Sequence, residues 1–158
     1  MKIKMELLKN DYISPVLEPR GNFVVLDRCD LPVFAETMYD GFLNTVDYEG
    51  ETLSETIAFI EQTKAGLYGD VFNDFSGLLA DDGKYVSGII ITLFENEPLI
   101  ASAFTRREYK HKGYGEYILR YAIGEIFKNT DYKIVTLYVT DNNPAISLYK
   151  KIGFVETE

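Results

Sequence analysis

The chain has 158 residues, of which 46% are hydrophobic and 14% aromatic, and this predicts one globular domain spanning residues 1–158 rather than a disordered protein. Its formal net charge of −9 argues against a sequence-independent grip on nucleic acid, which requires a basic face. One cysteine and one histidine argue against a disulfide or a zinc site, and no N-terminal apolar run is long enough for a signal peptide or membrane span, so we expect a cytoplasmic protein without a metal or a membrane partner.

The N-terminal part of the chain predicts two strands followed by two helices. The predicted strands are residues 2–8 and 23–27. The first helix is predicted to begin after Asp30, a favourable N-cap, and to end near Phe42. The second helix uses Ser54 as its cap and ends before Gly66.

The middle of the chain predicts antiparallel strands joined by tight turns. Asp81-Asp82-Gly83 separates two β-prone runs, residues 75–80 and 84–94, as in a β-hairpin. A second turn at residues 95–98 leads to residues 99–105. That run is nearly continuous in small and apolar residues, which is typical of a buried central strand.

A glycine-containing turn follows the central strand and leads into a helix. In the segment Lys110-His111-Lys112-Gly113-Tyr114-Gly115, glycines two residues apart let the backbone adopt positive φ and direct N–H groups at an anion. Apolar residues at helical spacing from Tyr114 to Ile126 predict a helix whose positive dipole end faces the turn. The pattern indicates a phosphate cradle, although a lone Gly-x-Gly also occurs in turns that only redirect the chain.

The last predicted elements supply a second motif. A strand at residues 133–140 precedes the segment DNNPAISLYKKIGF, in which Asn143 and Pro144 predict the start of a short helix. Together with the glycine turn, this segment resembles the GCN5-related N-acetyltransferase superfamily over roughly residues 99–154. The second family motif is matched by Asn142, Ala145, Tyr149, Gly153 and Phe154.

The first family motif, the pyrophosphate loop, is matched by residues 110–115 with two departures. Lys110 stands where the family usually has Gln or Arg, and Arg107 stands where it often has proline. Neither should abolish binding, because the loop acts mainly through backbone donors and lysine keeps a positive charge beside the phosphates.

The resemblance implies an α/β fold: a twisted mixed sheet of six or seven strands with four helices. Two parallel strands at the centre of that sheet splay apart to admit the pantetheine arm, and here they would be residues 99–105 and 133–140. The chain continues for only five residues after Gly153, so the last strand of the family would be a stub. That leaves the sheet edge, the wall of the acceptor site and a homodimer contact open.

The resemblance also implies the residues of the site, with acetyl-CoA as co-substrate. Tyr149 is expected near the sulfur of CoA, where its hydroxyl can donate a proton to the departing thiolate. The alternative is that Tyr149 is one more aromatic on an apolar helix face. The expected cofactor-binding residues are Ala103, Phe104, Thr105, Lys110, His111, Lys112, Gly113, Tyr114, Gly115 and Asn142.

The general base has no motif of its own. Many family members carry a glutamate on the splayed strand, but Leu99 occupies the aligned position here. Glu97 lies two residues earlier, on the same face of the strand, and is the candidate base. The alternatives are that Glu97 is a turn carboxylate in solvent and that water removes the proton.

These motifs predict an acetyl-CoA-dependent N-acetyltransferase. A CoA-binding protein of this fold without turnover, acting in sensing or assembly, is the alternative; the missing strand glutamate favours it and Tyr149 opposes it. A structural domain whose glycine turn binds nothing is a third reading.

The distribution of charge suggests what the acceptor is. Residues 1–100 carry 18 acidic and 7 basic side chains, whereas residues 101–158 carry 7 and 9. The predicted acceptor loop contributes Asp40, Asp47, Glu49 and Glu51, and the CoA side contributes Arg106, Arg107, Lys110, Lys112 and Lys151. We therefore expect a cationic amine as the acceptor.

Overall fold

The computed structural model describes residues 1–157 as a seven-stranded mixed sheet with four α-helices, which confirms the predicted α/β fold. The strands are β1 (Lys2–Leu8), β2 (Asn22–Val25), β3 (Gly77–Asp81), β4 (Lys84–Phe94), β5 (Glu97–Thr105), β6 (Ile134–Thr140) and β7 (Val155–Thr157). The helices are α1 (Leu31–Phe42), α2 (Leu53–Lys64), α3 (Tyr114–Asn129) and α4 (Ile146–Ile152). No helix among residues 1–157 is long and apolar enough to cross a membrane.

Local sequence signals account for most element boundaries. Asp30 caps α1, since its carboxylate accepts a hydrogen bond from the Val33 amide. For α2 the predicted cap, Ser54, is wrong: Thr52 caps the helix and forms a reciprocal capping box with Glu55. The box satisfies two backbone donors at once, so Thr52 is the better start.

The sheet separates two layers of helices. Its order is β2-β3-β4-β5-β6-β1-β7. One core lies between the sheet and α3 with α4, and it includes Ile89, Ile123 and Leu137. The other lies between the sheet and α1 with α2, and it includes Phe34, Ile60 and Phe104. Both helix layers are therefore held by buried apolar contacts.

The parallel strands β5 and β6 pair over only two residues each. The pairs are Leu99 with Thr136 and Ile100 with Leu137. Immediately after Ile100, the register between β4 and β5 shifts so that Ala101 is an extra residue. A bulge bends its strand and strengthens the twist, so β5 turns away from β6 at this position. The predicted splay at the sheet centre is present.

The N-terminal strand completes the sheet beside β6. All seven residues of β1 pair antiparallel with β6, from Lys2 with Thr140 to Leu8 with Ile134. The C-terminal strand β7 is three residues long and pairs with β1, not with β6. The short β7 therefore lies at the outer edge of the sheet, away from the splay between β5 and β6, and β1 is the full-length neighbour of β6 on its other side.

Candidate active site

A cavity of about 440 Å³ lies where β5 and β6 separate. Its floor comes from the diverging strands, and its walls come from α1, α2, the loop between them and α4. The lining includes Ile100, Ala101, Ser102 and Ala103 of β5, Leu137, Tyr138 and Val139 of β6, and Tyr149 of α4. Past Ile100 the edge of β5 that faces β6 has no strand partner, so its backbone groups are available to an extended ligand.

Tyr149 is the predicted catalytic residue that lines this cavity. Its ring lies 6.0 Å from that of Phe154, centroid to centroid, which fixes the side chain against the α3 and α4 core. Burial, together with the nearby charge of Asp47, raises the pKa of the Tyr149 hydroxyl to about 12. The phenol is therefore protonated at neutral pH and can act as a hydrogen-bond or proton donor.

The three predicted pantetheine-binding residues differ in position. Ala103 lines the cavity. The side chain of Phe104 is 5% exposed and packs edge-on against Phe34, so only its backbone can serve a ligand. Thr105 ends β5 beside the glycine turn, where its hydroxyl oxygen would lie 3.4 Å from a Cβ on Gly115.

The glycine turn has the backbone of an anion cradle. His111 and Gly113 both have positive φ, at 64° and 86°. No hydrogen bond within residues 1–157 occupies the amide N–H groups of residues 111–116, and no side chain caps α3. These donors surround the positive end of the α3 dipole, which is the arrangement that binds phosphate.

The basic side chains predicted to face the phosphates are largely bonded to α1. Arg106 forms an ion pair with Glu36, and Arg107 forms one with Asp40 at 2.9 Å. Lys110 donates to the carbonyl oxygen of Gly41 at 3.0 Å, and burial lowers the pKa of its ammonium. These contacts fasten the turn to α1.

The other basic residues in and near the turn are only partly engaged. His111 and Lys112 are exposed at the tip of the turn. Lys151, on α4, is paired with Glu116 at 2.9 Å. The positive charge expected at this site is therefore smaller than the count of basic residues suggests.

Asn142 and Asn143 have different positions. Asn142 is exposed, whereas Asn143 lines the cavity. The side-chain oxygen of Asn143 accepts a hydrogen bond from the Ala145 amide at 2.9 Å, and its nitrogen donates to Asp47 at 3.1 Å. The predicted helix start at Asn143 and Pro144 is too early, because α4 begins at Ile146 with Ala145 as its N-cap. Asn143 instead ties the segment before α4 to the loop between α1 and α2.

Glu97 lies away from the cavity. It is the first residue of β5 and pairs with Phe94 across the turn that joins β4 to β5. The cavity begins at Ile100, beyond the paired part of β5 and β6, and Glu97 is not among its lining residues. The Glu97 carboxylate therefore does not line the cavity, and its role as the base stays a prediction.

Carboxylates from the other side form an acidic wall. This acidic wall consists of Asp47, Glu49, Glu51 and Glu55. Asp40, expected with them, is instead turned toward Arg107. Although burial acts in the opposite direction, hydrogen bonds from the Arg107 amide and guanidinium hold the pKa of Asp40 below its ordinary value. Glu55, missed from the sequence, reaches the wall through the first turn of α2.

A sequence model of the acetyltransferase (GNAT) family matches residues 38–154, more than half of the chain. No curated protein matches the sequence. Solved structures do match, among them a GCN5-related N-acetyltransferase from Sphaerobacter thermophilus, with 15% identity and a TM-score of 0.74. The match covers 99% of this chain and 48% of that one, so this chain spans about half the length of that protein.

Two smaller acetyltransferases share the fold. The ribosomal-protein-S18-alanine N-acetyltransferase of Escherichia coli matches with 19% identity and a TM-score of 0.66, over 87% of this chain and 79% of the other. The PaiA N-acetyltransferase of Thermoplasma acidophilum, solved in complex with coenzyme A, matches with 21% identity and a TM-score of 0.61, over 78% and 82%.

Proposed function

The chain belongs to the acetyltransferase (GNAT) family, and from this we propose that residues 1–158 act as one cytoplasmic domain that transfers an acetyl group from acetyl-CoA to a primary amine of a small cationic molecule or a peptide. The observation that carries the proposal is the cavity at the strand splay, which has Tyr149 on one side and the acidic wall on the other. A thioester and an amine can meet between them.

On the CoA side, the free amides of residues 111–116 would bind the pyrophosphate and the unpaired edge of β5 would bind the pantetheine arm. Ala101, the extra residue of the bulge, lines the cavity, and we infer that its backbone amide would lie beside the thioester carbonyl. A preorganised donor there would stabilise the negative charge that develops on the carbonyl oxygen.

In the proposed reaction, the amine nitrogen attacks the thioester carbonyl carbon and the carbon–sulfur bond breaks. Tyr149 donates its proton to the departing thiolate, and the amine gives a proton to a nearby acceptor, from which it passes to solvent or back to the tyrosine. An amine with a pKa near ~10.4 costs roughly 4–5 kcal/mol to present as the free base at pH 7. A proton acceptor near the amine is therefore needed.

We assign the proton acceptor to Asp47, directly or through a water. It lines the cavity, its charge reaches Tyr149, and Asn143 holds it at 3.1 Å. Glu97 stays the alternative, but it could act only through a chain of waters because it lies outside the lining.

The first test is binding of CoA. Millimolar CoA is expected to raise Tm, because a ligand at a hundred times its Kd stabilises a fold by about 2.7 kcal/mol, or roughly 5–10 °C for a domain of this size. Thermal unfolding with and without CoA measures this. An unchanged Tm would contradict the proposed function.

Turnover separates the enzyme from a CoA-binding protein without catalysis. The missing strand glutamate at Leu99 favours the non-catalytic alternative, whereas Tyr149 in the cavity favours catalysis. Release of free thiol from acetyl-CoA, followed over a panel of amines, distinguishes them. A Tm shift without thiol release on any amine would support the sensing or assembly role.

The acidic wall predicts that the acceptor is cationic. For a polyamine or a lysine peptide, KM is expected to rise clearly between low and moderate salt, since charges are screened over about 8 Å at physiological ionic strength. Asp47→Asn is expected to raise that KM about two- to fivefold at low salt through the lost charge, and also to lower kcat because it removes the proposed proton acceptor. The control is Asp131→Asn, the same change at an exposed site beyond the cavity lining. Preference for an anionic amino acid, or a KM that does not change with salt concentration, would contradict a cationic acceptor.

A further inference from the structure

Most basic residues of the glycine turn are already engaged, and Lys112, exposed at its tip, lies 5.7 Å from the centre of the Tyr109 ring. Arg106, Arg107 and Lys110 are all bonded to α1. Backbone amides alone can bind a phosphate, but the pyrophosphate of CoA carries two negative charges. A hydrogen bond from a charged donor to such a phosphate is shorter and stronger than one from a neutral amide. A free cationic side chain close to Gly113 would supply it.

Arg20 lies at this position. Its guanidinium carbon sits 3.9 Å from the centre of the Tyr114 ring. Its terminal nitrogen Nη1 would lie 3.0 Å from a Cβ on Gly113. Among residues 1–157, no carboxylate forms an ion pair with Arg20, unlike the basic residues on the α1 side. Its charge is therefore available to a ligand on the turn.

Several contacts hold Arg20 there. The backbone amide of Arg20 donates to the hydroxyl of Tyr117 at 3.2 Å, across the first turn of α3. Tyr114, on which the guanidinium stacks, donates its hydroxyl to Asp81 at 2.5 Å. Further back along the same N-terminal segment, Tyr12 donates to the carbonyl oxygen of Arg120. The segment from Tyr12 to Arg20 is thus fastened along α3 and delivers the side chain to the start of that helix.

We propose that Arg20 binds the pyrophosphate of CoA, taking the role for which the motif predicts a side chain at Lys110. A guanidinium presents parallel N–H donors that match two phosphate oxygens, and stacking on Tyr114 preorganises that plane. The inference rests on the proposed binding of CoA at the glycine turn. It adds a binding residue about 90 positions away from the motif, on a segment outside the span matched by the family model.

Ligands that lack the 3′-phosphate, or all phosphates, of CoA show which phosphate Arg20 contacts. Kd is measured by calorimetric titration for CoA, dephospho-CoA and pantetheine, with weak ligands measured in competition. Arg20→Gln is expected to weaken CoA and dephospho-CoA by about 10- to 100-fold, the usual worth of a charge-assisted hydrogen bond, and to leave pantetheine unchanged. Arg20→Lys, which keeps the charge but loses the planar fork, should fall between Arg20→Gln and the wild type.

The matched control is Arg28→Gln, the same change at an exposed arginine away from the turn, which is expected to bind all three ligands as the wild type does. Unchanged CoA affinity in Arg20→Gln would overturn the inference while wild-type binding of CoA stood. Equal weakening of pantetheine would mean a structural role, and weakening of CoA alone would mean a contact with the 3′-phosphate; either would overturn it. Failure of the wild type to bind CoA would overturn the proposed function as well.

Discussion

Tyr149→Phe is expected to lower kcat at least about 100-fold while leaving the Kd for CoA close to that of the wild type. The substitution removes only the hydroxyl. The ring would keep its contact with Phe154 and its place against the α3 and α4 core, so the fold and the CoA site should be retained. A loss in kcat without a loss in affinity is what removal of a group that acts on the leaving thiolate should produce.

The pH dependence gives this prediction a second readout. Because burial and the charge of Asp47 raise the pKa of Tyr149 to about 12, the hydroxyl keeps its proton in the range where an ordinary tyrosine ionises, about pH 10. The kcat of the wild type should therefore not fall in that range through loss of this proton. A decline centred near pH 10 that disappears in Tyr149→Phe would contradict the assignment of a raised pKa.

Tyr132→Phe is the control for Tyr149→Phe, because it removes a tyrosine hydroxyl outside the cavity. Tyr132 packs edge-on against Phe72, with ring centres 5.7 Å apart, and is not among the residues that line the cavity. Tyr132→Phe is expected to keep the kcat of the wild type. If Tyr149→Phe also kept it, with thiol release measured at saturating acceptor, proton donation by Tyr149 would be wrong.

The elements that the sequence predicts well are those set by nearby residues. The Asp30 cap, the Asp82-Gly83 turn and the start of α3 at Gly113 all depend on residues within four positions of each other. Even the misplaced cap of α2 had a local signal, because Glu55 stands three residues after Thr52, as a capping box requires.

What the sequence could not predict depends on distant pairings. Residues 2–8 read correctly as a strand, but nothing nearby indicates that β1 pairs with β6, more than 120 residues later. The same holds for charge. Arg107 and Asp40 are 67 residues apart in sequence, so the sum of basic residues near the turn overstated the charge left for phosphates.

Whether a residue lies at the cavity also depends on pairings between distant parts of the chain. Glu97 and Tyr149 both carried plausible catalytic chemistry in sequence, yet only Tyr149 lines the cavity. The difference comes from the bulge at Ala101, which ends the pairing of β5 with β6 and makes the cavity begin beyond Glu97. A strand alternation pattern gives the face of a residue but not its distance from such an opening.

Gly113→Val is expected to remove the rise in Tm that CoA produces in the wild type. Gly113 has a φ of 86°, in the left-handed region that β-branched residues rarely adopt. The strain of holding valine there is about 1–3 kcal/mol, and the turn would relieve it by rotating the peptide groups on either side. Those peptide groups carry N–H donors of the proposed phosphate site, so the relaxed turn should no longer direct them at one anion.

Alanine at the two glycines of the turn makes a matched comparison. A Cβ on Gly115, which lacks a positive φ, meets only the hydroxyl oxygen of Thr105 at an ordinary 3.4 Å. Gly115→Ala is therefore expected to keep most of the CoA-induced shift, whereas Gly113→Ala should lose much of it, because a left-handed alanine costs roughly 1–2 kcal/mol and its Cβ would lie 3.0 Å from Nη1 of Arg20. Thermal unfolding of each variant with and without CoA separates lost binding from lost stability. Equal shifts in Gly113→Ala, Gly113→Val and the wild type would mean that CoA does not depend on the backbone of this turn.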